Sequence, residues 1–308
     1  MATKSKKSSN TKKKLRKAVR TPVRAGGVHP ISTLGSEIET ARAEAYERSG
    51  AEAGVLRTVK VVAEGDSWFS YFPAHDILAC LRGKTWNKWA YDIEDRAKAG
   101  ALLNDMVYGR DMVDTYQLLE THKPDVFLFS GGGNDIAGQE LFVMLYHHKA
   151  VQMHQGLPEI NKNILKGLVA EIFAQAYTDL IGLLRFKMNQ IGKPNMPIVF
   201  HGYDYAIPDG RGWGGGWGPL PGPWLDPSLT RKGYDRKQDE ALRRNIVREL
   251  INAFNVMLAS IAHAHPNTHF VDLRNTLADK QWDNELHPSK TGFKLVTEKI
   301  EATIRTVI

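Results

Sequence analysis

Three side chains in this chain, Ser67, Asn134 and His287, are of the types that acyl transfer needs. Val59, Val61 and Val62 lie in a β-rich run that ends in Glu64-Gly65-Asp66-Ser67-Trp68-Phe69. A second apolar run, Asp125 to Phe129, ends in Ser130-Gly131-Gly132-Gly133-Asn134-Asp135, and Leu286-His287-Pro288 stands near the C-terminus. A serine hydroxyl is a poor nucleophile until a base takes its proton, and an imidazole suits that task near neutrality. The tetrahedral intermediate then needs donors aimed at its new oxyanion, which the Asn134 amide could supply. The set predicts attack on a carbonyl through a covalent serine.

The elements that must position these groups can be read from periodicity. Strands are predicted at about 58–63, 86–93, 125–130, 197–201 and 268–272. The interrupted run 86–93 has the weakest strand pattern. Helices are predicted over 35–53, 74–81, 111–119, 238–263 and 291–304. A further helix carries the stripe Ile164, Leu165, Leu168, Ile172, Ala176 and Leu180. Strands alternating with helices imply a parallel sheet covered on both faces, a three-layer α/β/α sandwich. Sites in such folds lie at the carboxyl ends of the strands, and Ser67 and Asn134 fall just past two of them. Residues 138–162 and 206–235 exceed ordinary loop length. The second stretch, with Trp213, Trp217 and Trp224 among glycines and prolines, reads as an irregular wall or lid over the site.

Gly65-Asp66-Ser67, Gly100, Gly132-x-Asn134-Asp135 and His287-Pro288 occur in the order and rough spacing of four signature blocks, and over about 58–304 the chain resembles the SGNH (GDSL-type) hydrolases. The resemblance implies an α/β fold with a flavodoxin-like parallel sheet and no cofactor. It also implies Ser67 as nucleophile and His287 as general base. The Ser67 and Gly100 N–H groups with the Asn134 side chain would then form the oxyanion hole. No Gly-x-Ser-x-Gly surrounds Ser67, so the nucleophile-elbow hydrolases match less well.

One position departs from the family. Its usual Asp, three residues before the histidine, is here Asn284 in Trp282-Asp283-Asn284-Glu285-Leu286-His287. Asp283 could serve after a one-residue shift, Asn284 could orient a neutral imidazole, or a backbone carbonyl could complete a dyad. Asp283 is the favoured acid, so Asp283→Ala is expected to harm turnover more than Asn284→Ala. The implied substrate is a small-molecule or glycan ester, with short acyl or acetylated-sugar esters favoured. Lipase and thioesterase activities fall within the same resemblance. A reading from another class is a non-catalytic protein holding a glycan or an acidic partner on the same fold.

Bulk properties bound the remainder. The 308 residues fit a single hydrolase domain over 35–308 behind a basic, disordered tail at 1–34. Residues 1–26 hold ten Lys or Arg and no acid; setting them aside reduces 41 basic residues to 31, against 34 acidic ones. The high pI therefore belongs to the tail, a stretch suited either to solvation or to adsorption on an anionic polymer or surface. Cys80 is the single cysteine, which excludes an internal disulfide. With no secretory h-region and no expected membrane span, a cytoplasmic location is favoured and export by another route stays open. His147, His148 and His154 lack partners at ligand spacing, so no metal is expected. Asp66 and Asp135 read as turn and cap acceptors. Tyr203-Asp204-Tyr205 reads as loop packing, with pocket lining or an alternative acid as its other uses. Oligomeric state is not encoded at this level.

Overall fold

The alternating and continuous apolar runs form five strands: β1 (Arg57–Gly65), β2 (Trp89–Asp95), β3 (Val126–Ser130), β4 (Ile198–His201) and β5 (Thr268–Val271). All pair in parallel, in the order β2-β1-β3-β4-β5. Every residue of β3 and β4 is buried, as expected of strands covered on both faces. The computed structural model describes residues 57–72, 75–83, 89–215 and 221–308. The basic tail, the helix expected over 35–53, Trp86 and Trp217 lie outside the described residues.

Among the helices are α1 (Ile77–Arg82), α2 (Leu103–Tyr108), α3 (Arg110–His122), α4 (Gly133–Ile136), α5 (Gln139–Met144) and α6 (His148–Met153). Next comes a continuous helical stretch over 162–190, made of α7 (Lys162–Lys166), a π-helical segment (Gly167–Phe173) and α8 (Ala174–Gln190). Last are α9 (Asp226–Arg231), α10 (Glu240–Ala264) and α11 (Lys290–Val307). Helix α1 packs with α11, while α2, α3 and α10 gather around α8. These groups cover the sheet as the three-layer sandwich requires, and the strand order is the flavodoxin-like one.

That order has a functional consequence. The chain direction across the sheet reverses at β1, whose partners are β2 and β3, and Gly65 pairs with Ser130 at the carboxyl end. The loops carrying Ser67 and Asn134 therefore leave the sheet side by side at its topological switch point, where open α/β sheets hold their ligands.

Three expectations change. Residues 138–162 are not simply a long loop: they hold α5 and α6. Residues 206–235 contain a regular element, α9, whose Leu229 is fully buried. No membrane-length apolar helix was expected, yet the helix over Lys162–Gln190 is long and apolar enough to cross a membrane by length and composition. Here its stripe of Leu165, Val169, Phe173, Tyr177, Leu180 and Leu184 belongs to the core.

Glu64, the penultimate residue of β1, is almost completely buried and shares a 2.8 Å hydrogen bond with the Thr115 hydroxyl. Burial pushes its pKa up to about 8, with the Thr115 contact opposing the rise. Between an unfolded value near 4.5 and this folded value, the native state keeps a proton that the unfolded chain has lost. Stability should therefore fall as pH rises through that window, by about 4–5 kcal/mol at most. Glu64→Gln, which can still accept from Gly65 N–H and meet Thr115, should remove that slope. Urea midpoints of both proteins at pH 5 and pH 8.5 check this, and parallel changes in the two would refute the assignment.

Candidate active site

The Ser67 turn is built by close approach. A side chain at Gly65 would meet Ser130 O at 2.8 Å, so only glycine lets β1 and β3 come together there. Asp66 then ties the two loops. Its N–H donates to Ser130 O at 3.0 Å, and its carboxylate accepts from Ser130 Oγ at 2.7 Å, from the Trp68 N–H and from the Tyr203 hydroxyl. Asp66 thus has the bracing role expected of it. Among the described residues, nothing accepts a hydrogen bond from the Ser67 N–H, which sits in this turn.

Gly132, at φ 95°, starts the next turn against the Phe254 ring, where a side chain would come within 2.7 Å. Gly133 N–H donates to the Tyr203 hydroxyl at 3.1 Å, which places α4 and with it Asn134. One N–H of the Asn134 amide is held by Ala101 O at 2.9 Å; an amide nitrogen has two, and Asn134 lines the same cavity as Ser67. Asp135 accepts from the Leu103 N–H with both oxygens. Burial raises its pKa to about 6. These two bonds link the Asn134 turn to the start of α2, and the Asn134–Ala101 bond reaches the loop that carries Gly100.

Gly100 itself, at φ 80°, is exposed and lines a neighbouring open depression with Lys98, Ala101 and Asp111. It is not among the residues that line the Ser67 cavity.

The histidine arrives from the far side of the sheet, on the loop between β5 and α11. Trp68 Nε1 donates to Leu286 O at 3.0 Å and so joins the serine turn to the histidine loop. His287 Nε2 lies 2.7 Å from Ser67 Oγ. Its other nitrogen, Nδ1, lies 2.9 Å from Asn284 Oδ1. The same Asn284 oxygen accepts the N–H groups of Leu286 and His287, both at 3.0 Å. An atom that accepts two backbone N–H groups must be the carbonyl oxygen, which settles the amide's orientation. Nδ1 must then carry the proton, leaving the Nε2 lone pair to face the serine hydroxyl. This is the tautomer a general base needs. Burial holds the imidazole far below its ordinary value, to about 3, so it is neutral throughout the neutral range.

The orienting acid expected at Asp283 is therefore not in that place. Asn284 makes the contact with His287, and the Asp283 carboxylate instead accepts from the Tyr71 hydroxyl at 2.8 Å. The reason is local. An Asx-type turn from Asn284 to the N–H groups two and three residues on points its oxygen at the ring, while Asp283 faces outward. The expected order of the Asp283→Ala and Asn284→Ala effects is reversed by this geometry. Asp204, the other alternative acid, lines the cavity beside Ser67 as Tyr203 does, but its carboxylate is taken up by the N–H groups of Asn275, Thr276 and Leu277.

Three participants, Tyr71, Trp68 and Glu285, lacked a sequence signature, while Trp224 belongs to the stretch expected to wall the site. Tyr71 stacks on the His287 ring, with centroids 4.4 Å apart and planes 22° from parallel. Trp224 approaches the same ring edge-on at 5.4 Å. Trp68 is the strut described above. Glu285, fully buried, accepts from the N–H groups of Gly210, Trp224, Leu225 and Asp226. One carboxylate thus pins both described ends of the Gly/Trp-rich stretch to the histidine loop. Trp213 lies farther out, packed against the exposed Phe72 ring.

Beside Ser67 lies an apolar cavity of about 50 Å³, with walls from Ile136, Leu225, Val247, Leu250, Ile251 and Leu286. Among the described residues, no group of three or more His, Cys, Asp or Glu could hold a metal ion. A hydroxyl with a neutral imidazole at 2.7 Å, an amide donor and an apolar recess form a site able to attack a carbonyl and hold an oxyanion.

Solved structures similar to this chain include a family 3 carbohydrate esterase from Clostridium thermocellum, at 15% identity, covering 82% of this chain and 98% of that one, with a TM-score of 0.47. The lipase Lip_vut3 from a goat rumen metagenome is similar at 14% identity, over 79% and 96% of the two chains, with a TM-score of 0.47. A protein assigned to the SGNH hydrolases from Slackia heliotrinireducens is similar at 14% identity, over 80% and 100%, with a TM-score of 0.41. No protein-family model matches the sequence, and no curated protein matches it. These likenesses are at low identity, and the chemistry rests on the site's own geometry.

Proposed function

We propose that the protein is a serine esterase that hydrolyses short-acyl carboxylic esters through an acyl-serine intermediate. The observation that carries this is the Ser67–His287–Asn284 chain, in which the base is in reach of the nucleophile and fixed in the required tautomer. Ser67 Oγ attacks the ester carbonyl as His287 Nε2 takes its proton. The oxyanion is held by the Ser67 N–H and the free N–H of the Asn134 amide. The intermediate collapses, His287 gives its proton to the leaving alcohol, and water repeats the two steps to release the acid. The Gly100 N–H, on the loop that Asn134 holds through Ala101 O, is the third donor of this proposal.

The acyl preference follows from volume. On the measure in which one water needs about 10–15 Å³, a recess of about 50 Å³ takes roughly three to five heavy atoms. Its walls are aliphatic and aromatic, which suits the methyl end of an acetyl or propionyl group better than any polar substituent. Rates on p-nitrophenyl acetate, butyrate and octanoate test this. Acetate should exceed octanoate in kcat/KM by about tenfold or more. Octanoate as the fastest substrate would remove the cavity as the acyl pocket, and no hydrolysis of any of them would remove the esterase reading.

A further inference from the structure

A neutral amide at His287 Nδ1 poses an electrostatic problem. When the imidazole takes the serine proton it becomes a buried cation, and a carboxylate partner would stabilise that cation where a carbonyl oxygen does so only weakly. Hydrogen bonds lead onward from Asn284. Its amide nitrogen donates to the Tyr71 hydroxyl at 2.9 Å, and that hydroxyl donates to Asp283 Oδ2 at 2.8 Å. Tyr71 and Asn284 are buried, while Asp283 is exposed.

We propose that Asp283 acts on His287 at a distance, through a relay of Tyr71 and Asn284, so that a carboxylate left in water polarises two buried groups in series. Tyr71 and Asp283 are thus positioning residues for the esterase reaction proposed above, on which this role rests. The directions of the bonds are consistent. Asp283 draws the Tyr71 proton outward, which makes the phenol oxygen a better acceptor for Asn284 N–H. That in turn makes the Asn284 carbonyl a stronger acceptor for Nδ1–H, and successive bonds of this kind strengthen one another. The phenol stays protonated, because burial and then the Asp283 contact raise its pKa above the ordinary tyrosine value. The Tyr71 ring, stacked on the imidazole, keeps the links in register. The arrangement spares the protein the desolvation cost of a carboxylate buried against the ring.

Other charges near the ring are engaged elsewhere. Glu285 faces the backbone N–H groups of the Gly/Trp-rich stretch, and Asp66 faces Ser130, Trp68 and Tyr203. Arg211 lies on Asp209 and on the carbonyls of Trp282 and Asp283.

The test uses Tyr71→Phe, which keeps the stacked ring, Asp283→Asn, and both together in the full chain. Each single change should lower kcat on p-nitrophenyl acetate by about tenfold with KM unchanged, and the double variant should be no slower than either. In NMR titrations the His287 imidazole, assigned by its loss in His287→Gln, should titrate at lower pH in both single variants and no lower in the double. Exchanging the pair, Asn284→Asp with Asp283→Asn, should restore at least the parent rate and move the acid limb of the rate profile to higher pH. Full multiplication of the two single losses, or a His287 titration untouched by Tyr71→Phe and Asp283→Asn, overturns the relay. The titration needs no turnover, so failure of the esterase reading and failure of the relay are distinguishable.

Discussion

Ser67→Ala should reduce kcat on p-nitrophenyl acetate by about 10⁴- to 10⁶-fold, to the level left by binding and oxyanion contacts alone. The magnitude follows from what the hydroxyl does. In the proposed mechanism it forms the bond that divides hydrolysis into two steps. The fold should be indifferent. The side chain is small, and its hydrogen bond is to His287 alone among the described residues. The serine turn is held instead by Asp66, Trp68 and Gly65. KM and the urea midpoint should therefore stay close to the parent. A fluorophosphonate probe should label the parent stoichiometrically at Ser67 and leave the variant unlabelled. Hydrolysis that survives in Ser67→Ala at more than about a hundredth of the parent rate would mean that another group is the nucleophile.

The sandwich could be read in advance because each main element carries a period of its own. The Val59-Val61-Val62 run and the five buried residues of β3 could be placed to within a residue or two, and the helix predicted over 238–263 is α10 at Glu240–Ala264. Helices α2, α5, α6 and α9 escaped, since six residues are fewer than two turns and a 3.6-residue period stands out poorly there; α1, equally short, was read within 74–81.

The site divides along a similar line. Ser67, Asn134 and His287 were legible because strand ends and glycine turns are local signals. Tyr71 was not, since its use depends on Asn284 and Asp283, more than two hundred residues away. Glu285 was hidden for the opposite reason. It sits beside Asn284 in sequence, but its partners are backbone N–H groups of a stretch with no period to place it. The choice between Asp283 and Asn284 turned on an Asx turn, and an asparagine two residues before Leu286 was the available clue.

Asn134→Ala should lower kcat by about 10²–10³ with little change in KM, the usual result of losing one oxyanion donor. The loss falls on kcat because the ester carbonyl in the ground state carries little charge, so the amide's contribution grows only as the oxyanion forms. Asn134 also has a structural bond, to Ala101 O, and its loss could loosen the Gly100 loop without touching the oxyanion. Asn134→Asp separates the two effects. It has nearly the same shape, but it places acceptors where the donor stood, close to where negative charge must develop. A merely structural role also sets the Asp carboxylate against Ala101 O, but that cost falls on the fold, so Asp would be slower than Ala only as far as its urea midpoint is lower. An oxyanion role predicts that Asp is the slower of the two above its own carboxyl pKa and recovers as pH falls through it, since a protonated carboxyl can donate again. Single-turnover acylation rates from pH 4 to 8 discriminate between them, because the parent base stays neutral over that range. Equal rates for the two variants at every pH would remove Asn134 from the oxyanion hole and leave the Ser67 and Gly100 N–H groups as its proposed donors.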